Sequence, residues 1–217
     1  MGSCCSDKSC ALDALRARQS STLKIVLALN LVMFVVELTA GLLARSTALL
    51  ADSLDMLGDA MVYAFSLYVV ARSARWKAGA ALFKGLIMLA FGLFVVAEAV
   101  YKMTQPVIPQ AETMGLIGLL ALAVNTLCFY LLWQHRADDI NMRSVWLCSR
   151  NDLFANSAVL VAAVAVFWSA SRWPDIVVGL AIAALFLHSA WLVLRDAVRE
   201  LRNPPPQQPV EVTLSRR

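Results

Sequence analysis

The sequence predicts an all-α polytopic membrane protein, six transmembrane helices in a bundle with both termini cytoplasmic. Three observations predict it. Of the 217 residues, 60% are hydrophobic and only 16% are charged, where a soluble domain carries about 25% charged residues. Six apolar segments are each long enough to cross hydrocarbon, at about 20 residues per crossing. Lysine and arginine also concentrate in alternate breaks between them. This composition excludes a disordered chain, a collagen-like repeat and a standard soluble enzyme. The net charge of +4 is modest, and no basic face interleaved with aromatics points to nucleic acid.

The spans read in order as Ile25 to Ala44, Thr47 to Ala71, Ala78 to Tyr101, Met114 to Trp133, Val145 to Ala170 and Ile176 to Leu194. Charge or proline marks the breaks: Arg45, then Arg72 with Arg75 and Lys77, Pro106 with Pro109, Arg136 with Arg143, and Trp173-Pro174-Asp175. Segments apolar all round are membrane helices rather than amphipathic surface helices. Lys8, Arg16, Arg18 and Lys24 precede the first span, and Arg195, Arg199 and Arg202 follow the last. With the second and fourth breaks they define the cytoplasmic side, against only Arg45, Lys102 and Arg172 opposite. Residues 1–24 are then a cytoplasmic tail containing Cys4, Cys5 and Cys10, 25–197 the membrane domain, and 198–217 a short tail with Pro204-Pro205-Pro206. That last tail is too polar to bury a core and is expected to be extended or disordered from Glu200. A first span lying behind a mixed-charge tail does not resemble a cleaved signal. Met1-Gly2-Ser3-Cys4-Cys5-Ser6 fits a short myristoylation pattern, which six spans would make redundant.

Charge within the spans is the feature that needs explaining. Six acids lie there (Glu37, Asp52, Asp55, Asp59, Glu98 and Asp152) against two bases, Lys84 and Arg150. Each charge at mid-bilayer costs about 2.5–3.5 kcal/mol on insertion scales. Pairing cannot neutralise such an excess, so several acids are protonated or a cation binds. Asp52, Asp55 and Asp59 share one helix face, with Asp55 and Asp59 one turn apart. Taken singly, Asp52 and Asp59 could cap breaks or line a wet crevice; three on one stripe suggest a cation site. In the fifth span Cys148, Asp152 and Asn156 repeat the one-turn spacing. Cys148 alone would be a small packing residue, but beside an acid its thiolate becomes a candidate ligand. Two pairs of donors on two helices match the four that a tetrahedral divalent ion takes.

The stretch from Glu37 to Asp59, with Ala51-Asp52-Ser53-Leu54-Asp55-Met56-Leu57-Gly58-Asp59 at its end, resembles the cation diffusion facilitator (cation efflux) family. So does the fifth span from Cys148 to Asn156. Members place an acid or histidine, three residues, then Asp on the second span, and His-x-x-x-Asp on the fifth. The resemblance implies Asp55, Asp59, Cys148 and Asp152 as transport-site ligands; Asp52 and Asn156 are lesser candidates from their places on the same two helix faces. It implies efflux of a divalent metal, with protons as counter-ion and no cofactor. Cys148 stands where many members have histidine. A thiolate shifts preference toward zinc, cadmium or cobalt over manganese or iron. Members also carry a cytosolic α/β domain after the sixth span; here the expectation is a variant lacking it, a homodimer formed through the membrane helices, in a bacterial inner membrane.

Other signals are weaker. Cys4, Cys5 and Cys10 could capture a soft metal, or belong to a bland solvated tail. Cys128 reads as packing and His188 as a hydrogen-bonded structural residue. His135 with Asp138 and Asp139 is a metal lure or a solvated loop. Lys84 and Arg150 could offset Glu98 or the site acids, and Asn156 could support Asp152. Two other functional classes fit the residues: an integral membrane enzyme using intramembrane acids and Cys148, and a non-transporting metal-sensing subunit.

Overall fold

The computed structural model describes residues 3–68, 74–105, 107–134 and 140–202, with side chains described over 20–65, 67, 78–105, 107–134 and 152–202. Those residues form six helices: α1 (Ser3–Ala44), α2 (Thr47–Tyr68), α3 (Ala74–Thr104), α4 (Ala111–Trp133), α5 (Ile140–Ser169) and α6 (Trp173–Arg202). Each expected span falls on a helix, with residues 69–71 of the second outside the described residues and Ala170 of the fifth one residue past the helix end. Most helices run past the apolar stretch, because backbone hydrogen bonding continues into polar residues that hydropathy does not count. α1 extends back to Ser3 through the stretch expected to be a separate tail. α6 continues to Arg202, so Glu200 is helical rather than the start of an extended tail. The remaining tail, 203–217, lies outside the described residues.

Five of these helices are long and apolar enough to cross a membrane: α1, α3, α4, α5 and α6. The exception is α2, which carries Asp52, Asp55 and Asp59 within 22 residues. Packing explains how α2 can be so polar. It lies against α1, α3, α5 and α6, and Ser46 through Leu54 are buried without a break. Lipid meets its neighbours instead. Leu31, Val32, Leu43, Leu116, Phe154, Val161 and Leu185 are exposed apolar residues on the outer faces, as a bundle in hydrocarbon requires. On α4 the inward stripe Met114, Gly118, Ala121, Asn125, Cys128 and Leu132 recurs every three or four residues. Its small members let helices approach closely.

The turn at Arg45–Ser46, the α3–α4 connection and the α5–α6 turn meet at one end of the bundle. α1 closes there with Arg45 at φ 54, Ser46 N–H donating to Gly41 O at 2.9 Å and Arg45 N–H to Leu42 O at 3.3 Å. This is a Schellman stop with arginine in the position that glycine usually takes. The N-terminus of α2 is capped from another helix. Asp175 of α6 accepts from Thr47 N–H at 2.7 Å, Ala48 N–H at 3.0 Å and Ser46 Oγ at 2.6 Å. A Cβ at Gly179 would sit 2.7 Å from the Thr47 carbonyl carbon and 2.8 Å from Ala48 N, so only glycine permits this approach.

Candidate functional site

α2 and α5 build the site. The 3.6-residue turn aligns Asp55 with Asp59, and α5, running antiparallel to α2, brings Asp152 against them. The Asp152 carboxylate lies within side-chain hydrogen-bonding reach of both Asp55 and Asp59. Asp59 and Asp152 are nearly sealed, at 8% and 6% exposure. Asp59 also accepts a hydrogen bond from the Tyr63 hydroxyl at 2.8 Å, and Tyr63 is itself fully buried. Lys84 of α3 stands within electrostatic range of Asp59. Three carboxylates from two helices thus crowd one interior point, with a lysine nearby. Neither Asp52 nor Asp59 acts as a cap.

Among the described residues no three acids, cysteines or histidines close into a ready-made ion cage. Asp55, Asp59 and Asp152 are nonetheless neighbours. The fourth expected donor, Cys148, stands one turn before Asp152 on the α5 backbone, and its side chain lies outside the described residues. So do the side chains of Cys4, Cys5, Cys10 and Arg150, and all of His135, Asp138 and Asp139.

Other expectations resolve individually. Asn156 Nδ2 donates to the Asp152 main-chain carbonyl at 2.8 Å, so the amide braces its own helix rather than the Asp152 carboxylate. Glu98 pairs with Lys102 at 3.6 Å, and Lys102 reaches the Thr47 hydroxyl at 3.3 Å. That ion pair belongs to the tied end, and Lys84 is not its partner. Cys128 is buried with Val26, Tyr63 and Leu132, as a packing residue should be; Asn30 Nδ2 approaches its sulfur at 3.8 Å. His188 is exposed on α6 and is not drawn into the bundle as a hydrogen-bonded structural residue.

Sequence reasoning missed two roles. Tyr63 was detectable, because it stands four residues after Asp59 on the same helix face. The reach of Asp175 across to α2 was not, since it joins residues 127 and 128 apart in sequence.

Comparison with known proteins agrees with this architecture. Residues 23–202 match the family described as the cation efflux transmembrane domain. The chain therefore belongs to the cation efflux family. Zinc transporter ZitB of Escherichia coli (strain K12) is 29% identical over 111 residues, 50% of this chain and 35% of that protein. The cadmium, cobalt and zinc/H(+)-K(+) antiporter of Bacillus subtilis (strain 168) is 24% identical over 114 residues, 51% of this chain and 36% of that protein. Metal cation efflux system protein CzcD of Cupriavidus metallidurans is 24% identical over 111 residues, 50% of this chain and 34% of that protein. The matched stretch spans about a third of each relative's length. These relatives are named for transport, not for catalysis.

Proposed function

We propose that this multi-pass membrane protein exports a divalent heavy-metal ion (zinc, cadmium or cobalt) in exchange for protons, through a site of Asp55, Asp59, Cys148 and Asp152. One observation carries the reading: Asp152 of α5 is brought against both Asp55 and Asp59 of α2 inside the bundle. Like charges that close repel until protons or a cation stand between them. Ligands must be deprotonated to hold metal, so metal entry releases protons and protons drive metal off. Binding from the cytoplasmic side, rearrangement of the bundle and proton-assisted release on the other side make one exchange cycle. The names of the relatives support zinc, cadmium and cobalt as cargo. Bacterial relatives support a bacterial inner membrane, and pairing of two copies through the membrane helices completes the reading.

The test is metal-driven proton movement in proteoliposomes. Asp55→Ala and Asp152→Ala should each lower vectorial zinc flux at least tenfold, with protein insertion unchanged. Parent-like flux in both variants would remove the site assignment.

A further inference from the structure

Beyond Asp55, toward the tied end of the bundle, lies a second group of oxygens that the transport site does not use. Glu37 of α1 and Asp52 of α2 are completely buried. None of their four carboxylate oxygens has a hydrogen-bond partner. Glu37 lies within electrostatic range of Asp52 and Asp55, and Asp52 within range of Asp55. The Asn156 Oδ1 atom is likewise buried and unpartnered, while its amide nitrogen donates to the Asp152 carbonyl.

Helix geometry puts these groups at a common depth. Asp52 is three residues from Asp55, a rise of about 4.5 Å, and Asn156 is four from Asp152, about 6 Å. Because α2 and α5 are antiparallel, both steps lead toward the Arg45–Ser46 end. Glu37 stands seven residues before the end of α1 and Asp52 five after the start of α2, again about the same depth. Native proteins satisfy the great majority of buried polar atoms. Two unpartnered carboxylates from different helices facing one interior point indicate that something cationic completes the set.

We propose that Glu37 and Asp52, with the Asn156 amide oxygen, form a second cation station of oxygen donors alone. It rests on the transport reading above and takes the divalent metal ion as it leaves Asp55. Its chemistry suits departure. Oxygen donors favour hard ions and hold soft ones less tightly than a site with a thiolate. Passage through a protein needs successive sites weak enough to leave. A thiolate-containing site followed by an all-oxygen one descends in affinity for zinc in the outward direction.

The test uses the full chain in lipid nanodiscs, with Cys4, Cys5 and Cys10 replaced by serine so that tail thiols do not count. Zinc and manganese ions are titrated calorimetrically. The parent should bind two zinc equivalents, the second at least tenfold weaker. Glu37→Gln with Asp52→Asn should lose only the weak equivalent. Asp59→Asn with Asp152→Asn should lose only the tight one, keeping a weak site that takes manganese within about threefold of zinc. A weak equivalent that survives Glu37→Gln with Asp52→Asn overturns the proposal, as does a single equivalent in the parent. It is also overturned if that pair of substitutions keeps both equivalents and abolishes only metal-driven proton release; Glu37 and Asp52 would then carry protons. Failure of the transport reading shows separately, as parent-like zinc flux and a retained tight equivalent in Asp59→Asn with Asp152→Asn. The side chains keep their size in every variant, and unchanged melting behaviour or a raised melting temperature certifies folding.

Discussion

Tyr63 fixes Asp59 without contributing charge, which makes it a probe of how finely the site is held. Its hydroxyl donates 2.8 Å to Asp59 Oδ2, leaving the other oxygen for Asp152 and, in the proposed site, for a cation. Tyr63→Phe keeps the ring in its core position among Leu23, Val26 and Leu132 and frees the carboxylate to rotate. Groups that orient metal ligands typically matter by about 10- to 100-fold in affinity. Zinc transport by Tyr63→Phe should therefore show a KM raised about tenfold with kcat changed much less. Equal KM would mean the hydroxyl only satisfies its own burial. Glu37 makes the opposite case, a residue whose removal should stabilise. In Glu37→Gln the new amide N–H can donate to an Asp52 oxygen that now lacks a partner. Relief of one buried unsatisfied group is worth about 1–3 kcal/mol, so thermal melting in detergent should move upward. A lower melting temperature would show that Glu37 already has a stabilising partner in the folded protein.

At the scale of elements, α2 is the helix whose placement decides everything else, and α6 holds its end. The Asp175 carboxylate supplies three acceptor contacts to Ser46, Thr47 and Ala48, and Ser46 Oγ accepts from Leu49 N–H at 3.1 Å. Hydrogen bonds to a charged group contribute about 1.5–3 kcal/mol each, though not additively. Asp175→Ala should therefore destabilise by about 3–4 kcal/mol, measured by thermal melting. Gly179→Ala pushes on the same contact through backbone atoms that cannot yield. The two substitutions should fall short of additivity, because either one separates α6 from α2. Full additivity would mean that cap and close approach are independent. The helices themselves were legible in the sequence, because crossing a bilayer demands long apolar runs that little else produces. The aspartate stripe of α2 was legible through helical period alone. Period cannot say that Asp152 faces that stripe, nor that Asp175 reaches across to α2, because both depend on how separate helices pack. Glu98 was legible in principle, standing four residues before Lys102, yet counting it among the intramembrane acids, with Lys102 just outside the span, obscured that local pair.

On the scale of the whole molecule, the bundle is tied at the end that the charge pattern assigns to the outside. Arg172 donates through Nη1 to Gln105 O and through Nη2 to Met103 O at 3.2 Å. Gln110 N–H donates to Ala44 O at 3.1 Å, and Lys102 joins Glu98 and Thr47 nearby. All three connections of that end are thus linked through hydrogen bonds, and Asp175 adds α2 to them. Under the proposed exchange cycle, a site that serves each side in turn needs this end open during part of the cycle, and these bonds would then hold a gate on the exit side. Arg172→Ala removes two of them while leaving every candidate metal ligand in place. Loss of about 1–2 kcal/mol of local stability follows from two partly exposed hydrogen bonds. Hydrogen exchange over residues 103–110 should then quicken about 5- to 30-fold, with exchange at Asp55 and Asp59 unchanged. The same substitution should speed zinc release toward the outside in proteoliposomes and leave zinc affinity from the cytoplasmic side within about twofold. If exchange quickens while release does not, the tie is structural, and the end that opens must be held by the Asp175 cap instead.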